Sequence, residues 1–181
     1  MSTRRELLRA GLAAGGLALA GVPVHSLAST LEPRRIAVHN LHTGEALNAV
    51  YWEKGAYVPD AVEALNKVLR DFRTGDSHFM DPGLYDILDA ISVRVENRAP
   101  YQIISGYRSP QTNAKLHARS NGVAEHSLHM DGKAMDVRLG GVQLSNLHKA
   151  ALSLGRGGVG YYPTSNFVHV DVGRVRTWQG V

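Results

Sequence analysis

The chain has 181 residues, enough for one ordinary domain and little more. With 44% hydrophobic and 20% charged residues it has a globular composition, and the absence of cysteine excludes disulfides, thiolate metal sites and a cysteine nucleophile. The formal net charge is +4, but three arginines and one glutamate fall in the first nine residues; the remainder, near +2, gives no case for nucleic-acid binding.

Residues 1–28 read as an address rather than as part of the fold. Thr3-Arg4-Arg5-Glu6-Leu7-Leu8 resembles the twin-arginine export signal. An uncharged run from Ala10 to Val24 follows, shorter than the ~20 residues a membrane span needs. Ser26-Leu27-Ala28 offers small residues to a signal peptidase, so cleavage is expected there and a single domain over 29–181.

Residues 35–52 alternate around His42-Thr43-Gly44-Glu45, the pattern of a β-hairpin. A helix is predicted over 59–73, with Val62, Leu65, Val68, Leu69 and Phe72 on one face. Asp81-Pro82 caps a second helix, whose apolar stripe is Leu84, Ile87, Leu88, Ile91 and Val95. Tyr101–Ile104 is a short strand, and Ser109-Pro110 opens a helix that ends before Asn121-Gly122. A strand from Lys133 to Leu139, a helix from Gln143 to Leu154 and a strand from Phe167 to Val172 complete the order. The expected class is α+β, a small, mainly antiparallel sheet flanked by helices.

His129 and Asp136 are seven residues apart. On one helix that spacing is about 10 Å; fully extended it exceeds roughly 20 Å. Two ligands bonded to one zinc ion at about 2 Å fit neither, so the chain must fold back, and Gly132 permits the turn. In the strand that follows, Met135, Val137 and Leu139 share one face, while Ala134, Asp136 and Arg138 share the other. In the last strand Val168, Val170 and Val172 oppose Phe167, His169 and Asp171. Side by side, the two strands would bring Asp136 and His169 onto one polar surface. Three nitrogen and oxygen ligands match a catalytic zinc site. Equally, nine histidines allow a chance cluster, and spacing alone leaves both readings open.

Ser127-Leu128-His129, Gly132, Ala134 and Asp136 resemble the Ser-x-His-x-x-Gly-x-Ala-x-Asp motif of zinc D-Ala-D-Ala metallopeptidases. Ser105-Gly106-Tyr107-Arg108-Ser109 is similar to that family's upstream arginine motif, and Phe167–Asp171 to the segment carrying its last ligand. The branch it most resembles is the YcbK-type murein endopeptidases, and the similarity runs from about residue 35 to the end. The resemblance implies a fold shared with lysostaphin-type enzymes and the hedgehog domain. It implies zinc (Zn2+) held by His129, Asp136 and His169, with Arg108 stabilising the oxyanion. It also implies cleavage of the cross-linking peptides of peptidoglycan in the periplasm, by a monomer with no transmembrane segment after signal removal. Expected substrate contacts are Ser127, Gln111 and Tyr161, with Tyr162 beside the last.

The pattern breaks at the general base. The dipeptidase and carboxypeptidase branches carry an acidic residue three positions before the last ligand, where this chain has Asn166. Another branch carries a histidine two positions before it, where this chain has Phe167. His126, Glu125 and Asp171 remain; His126 is preferred because an ordinary imidazole titrates near neutrality. The missing acid counts against a D-Ala-D-Ala carboxypeptidase, while the missing base keeps a non-catalytic zinc-bearing peptidoglycan-binding module in view.

Overall fold

The structure is a computed structural model that describes residues 32–120 and 122–180. The export segment expected over 1–28 lies outside the described residues. Among those residues no helix is long and apolar enough to cross a membrane.

Strand β1 (Arg34–Asn40) and strand β2 (Ala46–Glu53) form the expected hairpin, with Gly44 at φ +74° in the turn. Asn40 organises the turn, its Oδ1 accepting from the backbone N–H groups of His42 and Thr43. A two-residue strand, β3 (Ala56–Tyr57), extends this edge and leads into helix α1 (Pro59–Val68).

Helix α1 ends five residues before the predicted position, and the hydrogen bonds show why. Continuing it would require Asp71 N, which instead donates to Asp76 O at 2.9 Å, to reach the Lys67 carbonyl, and then Arg73 N to reach the Leu69 carbonyl. That carbonyl instead accepts from Tyr107 N at 2.7 Å, while Arg73 N donates to Asp71 Oδ1 at 3.0 Å. A short-range side-chain acceptor and a long-range backbone donor together stop the helix.

Helix α2 (Gly83–Arg94) starts one residue after Pro82, with Asp81 Oδ1 accepting from Gly83 N at 2.8 Å. Strand β4 (Tyr101–Ser105) follows, then helix α3 (Pro110–His117), whose cap Ser109 accepts from Thr112 N. Strand β5 (Ala134–Leu139), helix α4 (Leu144–Ser153), strand β6 (Gly158–Tyr162), strand β7 (Phe167–Asp171) and strand β8 (Arg176–Gln179) complete the chain.

The α+β class holds. The sheet departs from the small one expected: it has eight strands in the order β3-β2-β1-β4-β5-β7-β6-β8, and it is mixed. The β1–β4 and β6–β8 pairings are parallel. Strands β3, β6 and β8 account for the difference: β3 has only two residues, and the glycines of β6 and the arginine and glutamine of β8 hide a strand pattern.

One sheet face carries the core. Met135, Val137, Val168 and Val170 pack there with Leu84, Leu88 and Ile91 of α2 and Leu147 of α4, all at most 1% exposed. Each such side chain contributes roughly 1.5–3 kcal/mol through burial. That apolar layer anchors β5 and β7, so the opposite face of these strands can be specialised.

Candidate metal centre

Strands β5 and β7 pair antiparallel with Asp136 directly opposite His169. His129 arrives from the turn before β5. There Met130 N donates to Ser127 O, Asp131 N and Lys133 N donate to Leu128 O, and Gly132 adopts φ +66°. A Cβ at position 132 would overlap the Phe79 carbonyl oxygen, so glycine is required by both backbone angle and space. The predicted fold-back is this turn.

The three side chains converge and are buried, at 2%, 6% and 8% exposure for His129, Asp136 and His169. His129 Nε2 lies 3.2 Å from His169 Nδ1 and 3.3 Å from Asp136 Oδ1; His169 Nδ1 lies 2.9 Å from Asp136 Oδ1. A tetrahedral ion with bonds of about 2.0–2.1 Å would set its donors about 3.3–3.4 Å apart. The trio is the one group of three such side chains among the described residues with donor atoms this close.

The outward nitrogens are also assigned. His129 Nδ1 lies 2.8 Å from the Gly106 carbonyl, an acceptor only, so Nδ1 carries the proton and Nε2 faces the trio. His169 Nε2 lies 3.1 Å from Asp171 Oδ2, so Asp171 holds that nitrogen and Nδ1 faces inward. Donor chemistry, spacing and ring orientation all fit zinc.

Burial pushes the His129 pKa down, and Asp136 only partly opposes it. Burial acts the same way on His169, but hydrogen bonds to Asp136 and Asp171 outweigh it and raise that pKa. Burial favours protonation of Asp136, yet its two imidazole neighbours hold it well below the usual carboxylate range. The carboxylate is therefore kept charged, the form a cation requires.

The motif around Arg108 is a strap between the trio and the loop after α1. Gly106 approaches Leu69 so closely that a Cβ would overlap its carbonyl oxygen. Arg108 N donates to His129 O at 3.1 Å. Asp71 Oδ2 accepts from Ser109 N at 2.9 Å and from Ser109 Oγ at 2.6 Å. Arg108 is 8% exposed, with Nη2 3.5 Å from Asp136 Oδ2 and Nη1 donating to Asn113 Oδ1. Its Nε has no hydrogen-bond partner. Burial lowers its pKa, and guanidinium remains charged nonetheless.

A cleft of about 320 Å³ opens on the trio. Arg108, His126 and Ser127 line it, as expected. His126 is exposed, and Ser127 Oγ accepts from His129 N, which shapes the ligand turn. Gln111 is exposed on α3 and does not line the cleft. Tyr161 also falls elsewhere. It stacks on His148 of α4, ring centroids 4.6 Å apart, because strand alternation turns it away; Tyr162, one residue on, lines the cleft. Glu125 is exposed and outside the lining. Asp171 is fully buried with both oxygens engaged, so it serves His169 rather than a substrate proton.

The sequence reading missed Asp71, Asn113, Arg176 and Trp178. Asn113 Nδ2 donates to the carbonyls of Ala124 and Glu125, fixing the loop that carries His126. Arg176 and Trp178 line the cleft from β8, with Tyr162 and Phe167 stacked beside them. Their signal was Gly158 and Gly160, glycines in a strand where another side chain approaches closely.

An α+β domain with a buried His–Asp–His trio beside a fixed arginine has the make-up of a metal-dependent hydrolase. Comparison with known proteins narrows this: the family described as peptidoglycan L,D-endopeptidase MepK matches residues 28–178, and the chain belongs to that family. The peptidoglycan L,D-endopeptidase MepK of Escherichia coli strain K12 is 46% identical over 177 residues, 98% of this chain and 97% of that protein. The same protein name in Shigella flexneri carries the same identity and coverage. The probable peptidoglycan L,D-endopeptidase MepK of Haemophilus influenzae is 42% identical over 179 residues, 98% of this chain and 96% of that protein.

Proposed function

We propose that this chain is a zinc-dependent murein endopeptidase that cuts L,D peptide bonds in peptidoglycan cross-links, with His129, Asp136 and His169 as the metal ligands. The carrying observation is the trio itself: three buried donor atoms 2.9–3.3 Å apart, each imidazole with one nitrogen turned inward and the other held by an outer acceptor. Family membership supplies the substrate class. The same reading gives the domain the D-Ala-D-Ala peptidase and hedgehog-like architecture.

Zinc, when bound, supplies a Lewis acid and a water acidified toward neutrality. The protein's own groups do the rest. Arg108 places a fixed cation beside the centre, where charge develops on the scissile carbonyl oxygen. His126 is the imidazole on the cleft besides the two ligands, and it accepts the water proton. Ser127 offers a hydroxyl to the peptide backbone, while Tyr162, Phe167 and Trp178 wall the cleft against bulk water. Export by the twin-arginine route would place the enzyme in the periplasm; Lys-Lys in place of Arg4-Arg5 should abolish it.

Digestion of purified cross-linked murein tests the reading. Dimeric muropeptides should disappear, and a chelator should stop the reaction. Loss of terminal D-Ala alone would mean a carboxypeptidase, and binding without products would mean a non-catalytic module.

A further inference from the structure

His169 is held by a carboxylate that is itself held by an arginine, and the proposed chemistry leaves that second contact unused. Asp171 is completely buried. Its Oδ2 accepts from His169 Nε2 at 3.1 Å and from Arg176 Nη2 at 2.6 Å. Its Oδ1 accepts from Arg176 Nη1 at 3.0 Å, Gly158 N at 2.9 Å and Gly173 N at 2.8 Å. A two-point guanidinium contact fixes the rotation of a carboxylate as well as its place. A carboxylate fixed in this way aims one oxygen at the imidazole and so sets the plane of the ring.

The surrounding strands are shaped to admit the arginine. At Gly158 a Cβ would overlap both Arg176 Nη1 and Asp171 Oδ2, and at Gly160, paired with His169, it would overlap the Trp178 indole. Trp178 lies beside the His169 ring with centroids 5.1 Å apart, and the Arg176 guanidinium sits 4.9 Å from the indole centroid. Trp178 Nε1 donates to Tyr162 Oη at 2.8 Å, which holds the indole in place. Edge strand β8 thus reaches His169 along two routes, one polar and one aromatic.

We propose that Arg176 is a positioning residue for the metal centre: acting through Asp171, it sets the orientation of His169 and with it metal affinity and ligand geometry. This rests on the reading of His169 as a ligand. The simpler alternative is that the Arg176–Asp171 pair only staples β8 to β7.

The test uses the full chain with Arg176→Met and Arg176→Lys. Zinc affinity is measured by competition with a chromophoric chelator, ligand geometry by the visible absorption of the cobalt(II)-loaded protein, and stability by melting without metal. Arg176→Met should weaken zinc binding roughly 10- to 100-fold and alter the cobalt bands. Arg176→Lys keeps the charge but not the fork, so it should recover only part of the affinity. A lower melting temperature with wild-type zinc affinity and cobalt spectrum would mean a staple and would overturn the proposal. Should Arg176→Met fail to fold, a wild-type spectrum in Arg176→Lys overturns it equally. If the wild-type chain takes up neither ion, the ligand reading falls and the proposal with it; if the wild type takes up both and the variants match its affinity and spectrum, the proposal alone is overturned.

Discussion

The two faces of the β5–β7 pair are buried almost equally and held by different physics. On one, Met135, Val137, Val168 and Val170 are at most 1% exposed; on the other, Asp136, His169 and Asp171 are at most 8% exposed. The apolar face is stabilised by area removed from water, which has no preferred direction. The polar face depends on directed contacts, since each buried donor or acceptor left without a partner costs about 1–3 kcal/mol. The rigidity of the first layer lets the second crowd two imidazoles and a guanidinium around one carboxylate. Substitutions on the two faces should therefore fail differently.

The largest effect is expected at Asp136. Asp136→Ala removes one donor and the charge that attracts the cation, and several kcal/mol of transition-state stabilisation go with it. Turnover of murein should fall by at least about a thousandfold, because each 1.36 kcal/mol is tenfold in rate. Bound zinc, measured by elemental analysis below the variant's melting transition, should be lost. A variant that retained stoichiometric zinc would break the assignment.

Met135→Ala, the adjacent residue on the other face, should do the reverse. It opens a cavity in the core at a cost of about 2–5 kcal/mol, seen as a lower urea midpoint. Below its transition the variant should keep its zinc and its rate. A loss of zinc without a loss of stability would show that the faces are not separable.

Arg108 probes the polar face without touching the ligand count. Arg108→Met should reduce kcat by about 10²–10³, the scale for deleting one oxyanion donor. Zinc content should stay unchanged. If the rate loss came with metal loss, the 3.5 Å contact to Asp136 would be the arginine's main role.

How much of this was legible follows the same division. Alternation in β5 and β7 marked the correct faces, because one of each pair is uniformly aliphatic and period two is a local property. The turn was legible through Gly132, whose positive φ leaves a mark in the sequence. Other features were not legible because they depend on distant partners. The chain beyond α1 is drawn off the helical path by Asp76 and by Tyr107, 38 residues beyond Leu69. Tyr161 and Tyr162 differ only in phase, and Gly158-Val159-Gly160 gives too little pattern to set it. Arg176 lies near a chain end with no local sign that a buried aspartate waits for it.

Asp71 shows how far the directed network extends, and it offers the smallest effect. Burial pushes its carboxyl up, but the hydrogen bonds from Ser109 and from the Arg73 backbone outweigh this and hold it at about 2, against an ordinary 3.8. A pKa lowered in the folded state stabilises the fold above the ordinary value. That contribution is lost as pH falls from about 4 toward 2, and it amounts to about 2 kcal/mol for a shift of this size. Other carboxylates titrate over the same range, so the informative quantity is the difference between the parent and Asp71→Asn. Urea unfolding at pH 6 should show the variant less stable by about 2 kcal/mol, and the gap should close as the pH approaches 2. Asp71 touches neither cleft nor trio, yet it carries the cap of α3 beside Arg108. If the gap were independent of pH, the cap would be held by shape rather than by charge, and the directed network would end at Arg108.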